Sequence, residues 1–334
     1  MKVLIAGGAG FIGSTVASAC LDAGITPVIL DNLSTGRAEF AGDRIFYRGD
    51  IADGALVDRI FAEHSDITAV VHAAALIVVP ESVEQPLRYY EENVGKSIDF
   101  IGHVLRNGVT RYLFSSSAAI YAPGGDFSVD ENSPLDPGSP YARSKVMMEE
   151  ILADTCAATA LRGVSLRYFN PVGADPQLRT GLQVRRPTHL LGKLLTAAEN
   201  DEEFLLTGVD WPTRDGSGIR DFIHVWDLAQ AHVLALQRFD EILPAGGDSR
   251  YEVINLGTGS GTTVKEFVAA FLAASGMTVR VRETGPRPGD VAGSFTRSQK
   301  ARELLGWTPR LSIEDAIRDS ARWSAIRDTR LVDA

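Results

Sequence analysis

Six short runs in the first half of the chain are apolar along their length instead of at alternate positions. They are VLIA (3–6), PVILD (27–31), RIFYRGD (44–50), AVVHAA (69–74), RYLFSSS (111–117) and VSLRYFN (164–170). A strand covered on both faces reads this way. Helical patterns such as STVASACLDAG (14–24) and GALVDRIFAEH (54–64) lie between them. The alternation predicts right-handed strand–helix–strand units, hence an α/β fold with a doubly wound (Rossmann) parallel sheet. Past residue 171 the texture changes. NPVGADPQLRTGLQVRRPTH reads as a long ordered loop, of the kind that carries function in compact enzymes. Helices follow over 189–200, from near Trp226 and over 312–326, with an irregular GVDWPTRDGSGIRDF (208–222) between the first two. YEVINLG (251–257) again reads as a buried strand. The expectation is a Rossmann domain over 1–170, to which later segments (about 221–257) return, and a smaller C-terminal α/β domain over 171–334.

Composition narrows the function. The 334 residues carry a net charge of −10, which argues against a general nucleic-acid or anionic-membrane binder. Cys20 and Cys156 both fall in helical patterns, so a disulfide framework is not expected and a reducing compartment fits. No apolar stretch reaches the roughly 18 residues of a membrane span, and glycines interrupt the N-terminal run too early for a signal-peptide core. A cytoplasmic protein is expected. The histidines show no recognisable metal-ligand spacing, and no metal is expected.

Gly7, Gly10 and Gly13 form a GxxGxxG directly after the first strand and directly before a helix. The first glycine allows a tight turn, the second lets a phosphate approach the backbone, and the third lets helix and strand pack closely. The helix N-terminus then offers free N–H groups and a positive dipole end to a pyrophosphate. Asp31 closes the second strand, where a carboxylate accepts from a ribose diol and repels a 2′-phosphate; NAD is favoured over NADP. Asp50, ending the third strand, is placed for an adenine amino group.

GGAGFIG, HAAA (72–75), SSSAAIY (115–121) and Tyr141-x-x-x-Lys145, in this order, resemble the extended short-chain dehydrogenase/reductase family. ESVEQPLRYYEENV (81–94), LRYFNPVGA (166–174), PTRDGSGIRDFIHVWDLA (212–229) and RPGD (287–290) narrow the likeness to its UDP-glucose 4-epimerase branch. The resemblance implies an NAD cradle of Gly7, Gly10, Phe11, Ile12, Gly13, Asp31, Asn32, Ser34, Thr35, Gly36, Asp50, Ile51, Ala73, Ala74, Ala75, Asn93, Ser115, Tyr141, Lys145 and Tyr168. It implies a UDP-sugar site of Ser117, Tyr141, Phe169, Asn170, His189, Leu190, Arg220, Phe222, Arg287, Asp290 and Ser294. Tyr141, Lys145 and Ser117 are the implied catalytic residues. Tyr141 would take the proton of the sugar 4-hydroxyl while NAD accepts hydride from C4. The 4-keto sugar would then turn over and be reduced on its other face. A free tyrosine titrates near 10, and an ammonium one helical turn away favours the phenolate. A Tyr141 phenol brought toward neutral pH by Lys145 is therefore expected, with a bound nicotinamide cation adding to the effect.

The chain departs from the branch at several places. Ile77 stands where many members carry a lysine near the cofactor phosphates, Ala119 where many carry threonine, His189 for an asparagine and Phe222 for a tyrosine. Ser294 stands where members restricted to glucose and galactose nucleotides tend to carry a bulky tyrosine, which implies room for UDP-GlcNAc. Three rival readings are weighed. A 4,6-dehydratase needs an Asp-Glu pair after the active-site hydroxyl, where this chain has Ala118 and Ala119. A UDP-glucuronate epimerase or decarboxylase fits the DGSGIRDF block less well. An NAD-sensing regulator would have no need of Tyr141 and Lys145. A homodimer is expected by analogy. The apolar stripes of Ile98, Ile101, Val104 and Leu105 and of Val146, Met147 and Ile151 serve either as its interface or as core.

Overall fold

The structure is a computed structural model and describes residues 1–331 except 123 and 287–290. Seven strands form one parallel sheet: β1 (Lys2–Ala6), β2 (Thr26–Asp31), β3 (Ile45–Arg48), β4 (Ile67–His72), β5 (Arg111–Ser117), β6 (Arg162–Tyr168) and β7 (Tyr251–Leu256). Their order is β7-β6-β5-β4-β1-β2-β3. The continuous apolar runs are explained by burial on both faces. Val3, Ile5, Ile29, Val71 and Leu166 pack into one cluster with Val16 and Leu228, from helices α1 (Phe11–Asp22) and Val225–Gln237. Their neighbours Leu4, Val28, Leu30, Val70 and Phe114 pack into a second cluster on the opposite face, with helices α2 (Gly54–Glu63), α3 (Lys96–Arg106) and α4 (Pro140–Ala158). Successive residues of a strand point to opposite faces, so each face needs its own apolar set.

The chain leaves β1 toward β2 on one side and arrives at β4 on the other. The carboxyl ends of β1 and β4 therefore flank the switch point at which open α/β sheets bind ligands. Three smaller sheets stand beyond that edge. Ile219–Arg220 pairs in parallel with Gly293–Thr296, Phe222–His224 with Asn170–Val172, and Arg280–Thr284 with Glu203–Thr207. Leu191, Leu194, Phe204, Phe267, Phe271 and Ile317 fill a separate core between helices α5 (Leu190–Glu199), α7 (Val264–Ser275) and α8 (Ile313–Arg330), with the helix Val225–Gln237 counted as α6.

The helical segment that carries the Ile98, Ile101, Val104 and Leu105 stripe is broken. It runs as Val79–Glu84, Pro86–Tyr90, a π turn over Glu91–Gly95, and then α3. Pro86 has no N–H to continue the first piece. The π turn faces Asn93, 3 % exposed, into the protein. The apolar stripes divide as well: Ile101 and Val104 are core, whereas Ile98 and Met147 are 47 % and 40 % exposed. Helix α7 was not read from the sequence, although Thr263 and Glu266 form a capping box at its start. Among the described residues no helix is long and apolar enough to cross a membrane.

Candidate functional site

Gly7 takes φ +78°, and a side chain on it would collide with the backbone of Ala73 and Ala74 at the end of β4. A side chain on Gly13 would overlap the Gly7 carbonyl. Gly10 is different. It is the N-cap of α1 with no side-chain cap, and a Cβ there meets only the Gly7 carbonyl at 3.5 Å. The first turn of α1, with Phe11 and Ile12, thus presents its N–H groups to an open cradle, as a pyrophosphate requires. Asp31, 7 % exposed, accepts from Ala9 N at 2.9 Å and from Leu33 N at 2.8 Å. Burial raises its carboxyl against those two bonds. Gly36 lies against the same carboxylate. Asp31 therefore shapes the glycine loop and the Asn32–Ser34–Thr35 turn.

Asp50 is held in a cluster the sequence did not disclose. Lys96 donates to it at 2.8 Å and Asn32 Nδ2 at 3.2 Å, and Lys96 also pairs with Glu92. Burial raises the Asp50 carboxyl, but the bonds from Lys96, Ala52 and Asn32 outweigh it and keep the group below its usual range. Ile51 beside it is buried. The long loop after residue 172 reaches back to this side. Gln183 Nε2 donates to the Thr35 carbonyl at 2.9 Å, and Thr180 and Thr15 share a hydroxyl hydrogen bond at 3.1 Å.

Asn93 is tied to the loop beyond β4 and to α4. Its Oδ1 accepts from Leu76 N at 2.8 Å, and its Nδ2 donates to Leu76 O and Ser144 Oγ. Its amide thereby holds the loop that follows Ala73, Ala74 and Ala75. Ile77 on that loop is 65 % exposed.

Ser139 caps α4 by accepting from Ala142 N at 3.1 Å, and Pro140 fills the first helical position. This start places Tyr141 (8 % exposed) and Lys145 (4 %) one turn apart against the end of β5. Lys145 Nζ donates to the Ser115 carbonyl at 2.8 Å and lies 4.8 Å from the Phe114 ring centre and 5.9 Å from that of Tyr141. Ser117 accepts from Ala119 N at 3.2 Å, capping the short turn that carries Ala118 and Ala119. The Ser115 hydroxyl is buried and makes no well-formed hydrogen bond among the described residues, although it lies near enough to the Tyr168 phenol to act on it.

The electrostatics correct one expectation. Burial raises the Tyr141 phenol, and only the Ser117 hydroxyl works the other way. Burial also brings the Lys145 ammonium down to about 8, with Glu149 opposing. Lys145 therefore does not by itself lower the phenol. Its charge is spent on the Ser115 carbonyl, and dehydration of the phenolate outweighs attraction across the remaining gap. Burial and the nearby Tyr141 raise the Tyr168 phenol as well.

On the other bank, Phe169 packs with Ala118, Ile120 and Ala142, and Asn170 is exposed. His189 caps α5 through Nδ1, which accepts from Gly192 N at 3.2 Å, so its Nε2 is the donor left for a ligand; Leu190 follows it half-buried. Arg220 donates to the carbonyls of Ile219 (2.7 Å), Ala292 (2.8 Å) and Val291 (3.1 Å). Its guanidinium crosses Gly293, which takes φ +108° and where any Cβ would overlap it. Ser294, half-buried, pairs with Arg220 across the strands. Phe222 is 4 % exposed, with its ring 4.3 Å from that of Phe267, and packs into the core of the smaller lobe. Arg287 and Asp290 lie outside the described residues. Asp221 was missed: fully buried, it accepts from Thr258 N (2.7 Å), Thr258 Oγ1 (2.6 Å) and Thr296 N (3.2 Å), fastening the Arg220 strand to the end of β7.

Among the described residues no cluster of three or more metal-ligating side chains occurs. The glycine-lined crevice, the uncapped α1 terminus and the tyrosine–lysine–serine group meet at the same sheet edge.

Residues 3–257 match the family described as NAD dependent epimerase/dehydratase. The chain belongs to this family. It is 42% identical over 325 residues to a UDP-glucose 4-epimerase of Azospirillum brasilense, covering 96% of this chain and 91% of that protein. A UDP-glucose-4-epimerase from Stenotrophomonas maltophila, solved with bound NAD and formylated UDP-arabinopyranose, superimposes with a TM-score of 0.92 at 36% identity, over 98% of this chain and 99% of that one. A UDP-Glc/GlcNAc 4-epimerase from Campylobacter jejuni gives 0.81 at 35% identity, over 97% of this chain and 99% of that one. The family is NAD-dependent, and the open cradle at Gly10 fits that cofactor.

Proposed function

We propose that this chain interconverts UDP-glucose and UDP-galactose by epimerisation at C4. The observation that carries this reading is that Tyr141, Lys145 and Ser117 gather at the end of β5, in the sheet whose β1 carries the glycine loop. NAD, held at the Gly7–Gly13 loop and the first turn of α1, would supply a hydride acceptor and donor for C4. Tyr141 accepts the proton of the 4-hydroxyl and returns it. Ser117 hydrogen-bonds the same oxygen. Lys145, anchored on the Ser115 carbonyl, contributes the fixed positive charge. Arg220 and the His189 Nε2 face the diphosphate, and Asn170 the sugar side. Asp31, Asp50, Ser34, Thr35 and Tyr168 serve the cofactor. A dehydratase reading fails at Ala118 and Ala119, which follow Ser117 and carry no acid. Incubation with UDP-galactose tests the proposal: NMR should show UDP-glucose growing in to equilibrium. Binding of NAD with no turnover would instead mark a regulator.

Ser294, half-buried beside Arg220, is a small side chain where the resemblance puts a bulky tyrosine in glucose- and galactose-restricted members, so UDP-GlcNAc is read as a second substrate. Exposed Val83, Leu87, Ile98 and Met147 supply an apolar face suited to a homodimer, to be checked by sedimentation. Both cysteines are free and buried, in keeping with a cytoplasmic setting.

A further inference from the structure

Tyr141, Lys145 and Glu149 follow one another at four-residue steps along one face of α4, and the third has no place in the chemistry above. Glu149 accepts from Ser116 Oγ and from two nitrogens of Arg167, Nε at 2.9 Å and Nη2 at 2.5 Å. Both side chains of the pair are 7% exposed. Arg167 Nη1 donates to the Tyr121 hydroxyl at 2.8 Å, Tyr121 donates to Asn255 Oδ1 at 2.6 Å, and Asn255 N donates to Glu131 at 2.7 Å. One ion pair thereby ties α4 to the ends of β5, β6 and β7. Ser116 lies between the carbonyl that anchors Lys145 and the serine that faces the sugar.

The other titratable groups around Lys145 are uncharged at neutral pH. Burial holds His72 on β4 at about 3, and raises the phenols of Tyr112 on β5, Tyr121, Tyr141, Tyr168 on β6 and Tyr251 on β7. On the segment 79–95 packed against α4, Glu81 is bound by Arg88 and Tyr89, and Glu92 by Lys96. Glu149 is the carboxylate whose charge opposes the dehydration of Lys145.

We propose that the Glu149–Arg167 pair is a positioning element of this site, clamping the β5 end that carries Ser117 and keeping Lys145 in its charged form for Tyr141. The proposal rests on Tyr141 and Lys145 being the catalytic pair. The test is the pH dependence of kcat for UDP-galactose in the NAD-loaded protein. Glu149→Gln should move the alkaline limb down by about one unit, a roughly tenfold loss above that limb. KM should change little, and Glu149→Asp should restore part of the shift. Arg167→Met leaves the carboxylate unpaired and should move the limb up. The double variant Glu149→Gln/Arg167→Met strands no buried charge, and remains measurable if either single variant fails to fold; its limb should lie below that of the wild type. A limb that stays put in all variants, or moves the same way in both singles, overturns the proposal. Tyr141→Phe separates the two claims. If it turns over normally, the reading of the site fails; if it is dead while the limb stays put, only the role of the pair fails.

Discussion

Lys145 Nζ lies 2.8 Å from the Ser115 carbonyl but 5.9 Å from the centre of the Tyr141 ring. The lysine is fastened to the sheet, and its charge acts on the phenol across a gap. With the phenol raised and the ammonium brought down to about 8, the ligand-free protein at neutral pH holds a protonated tyrosine beside a charged lysine. A further positive charge is needed to make the phenol a base. Ultraviolet titration of tyrosinate, as the difference between wild type and Tyr141→Phe, should place this phenol above 10 without NAD and well below that with NAD. An equal value in both states contradicts the assignment.

Tyr141→Phe removes the proton acceptor and leaves the ring packing. General acid–base groups contribute about 10²–10⁴-fold, so kcat should fall by that order with NAD affinity kept. Fluorescence titration with NAD alongside the rate measurement checks both halves.

Acid should destabilise the fold through two core histidines. Burial lowers His72 to about 3 and His232 to about 4. Both stay neutral in the folded chain but take up a proton on unfolding below about 6.5, so stability is full above that pH and is lost as pH falls toward 4. At pH 5 each costs about 2 kcal/mol by linkage. Urea midpoints at pH 7.5 and pH 5 should differ accordingly, and His232→Asn should reduce the difference.

Gly293→Ala places a methyl group in the path of the Arg220 guanidinium, at a backbone angle costly for alanine. KM for UDP-galactose should rise about tenfold or more while NAD binding is unchanged. Parallel NAD and UDP titrations would reveal whether the damage instead spreads to the cofactor.

Ser294→Tyr puts a bulky ring next to Arg220. Turnover of UDP-GlcNAc should drop far more than that of UDP-galactose. A wild type inactive on UDP-GlcNAc sinks the two-substrate reading.

The sheet was legible because each of its strands is apolar on both faces, a pattern set by local sequence; even the returning β7 shows it. The glycine loop and the Tyr141–Lys145 spacing were legible for the same reason, since their chemistry lies within one turn or one loop. What stayed hidden depends on partners distant in the chain. Asp50 meets Lys96 across 46 residues, Glu149 meets Arg167 across the sheet, and Asp221 meets Thr258 and Thr296. The raised Tyr141 phenol was missed likewise, because spacing reveals the lysine but not the dehydration around it.

Loan and return of hydride at C4 is most directly tested with UDP-galactose deuterated at C4, converted in ordinary water. Mass spectrometry and NMR of the UDP-glucose formed should find deuterium still on C4. Product carrying solvent hydrogen at that carbon would mean proton abstraction instead, and would contradict the role given to NAD and to Tyr141.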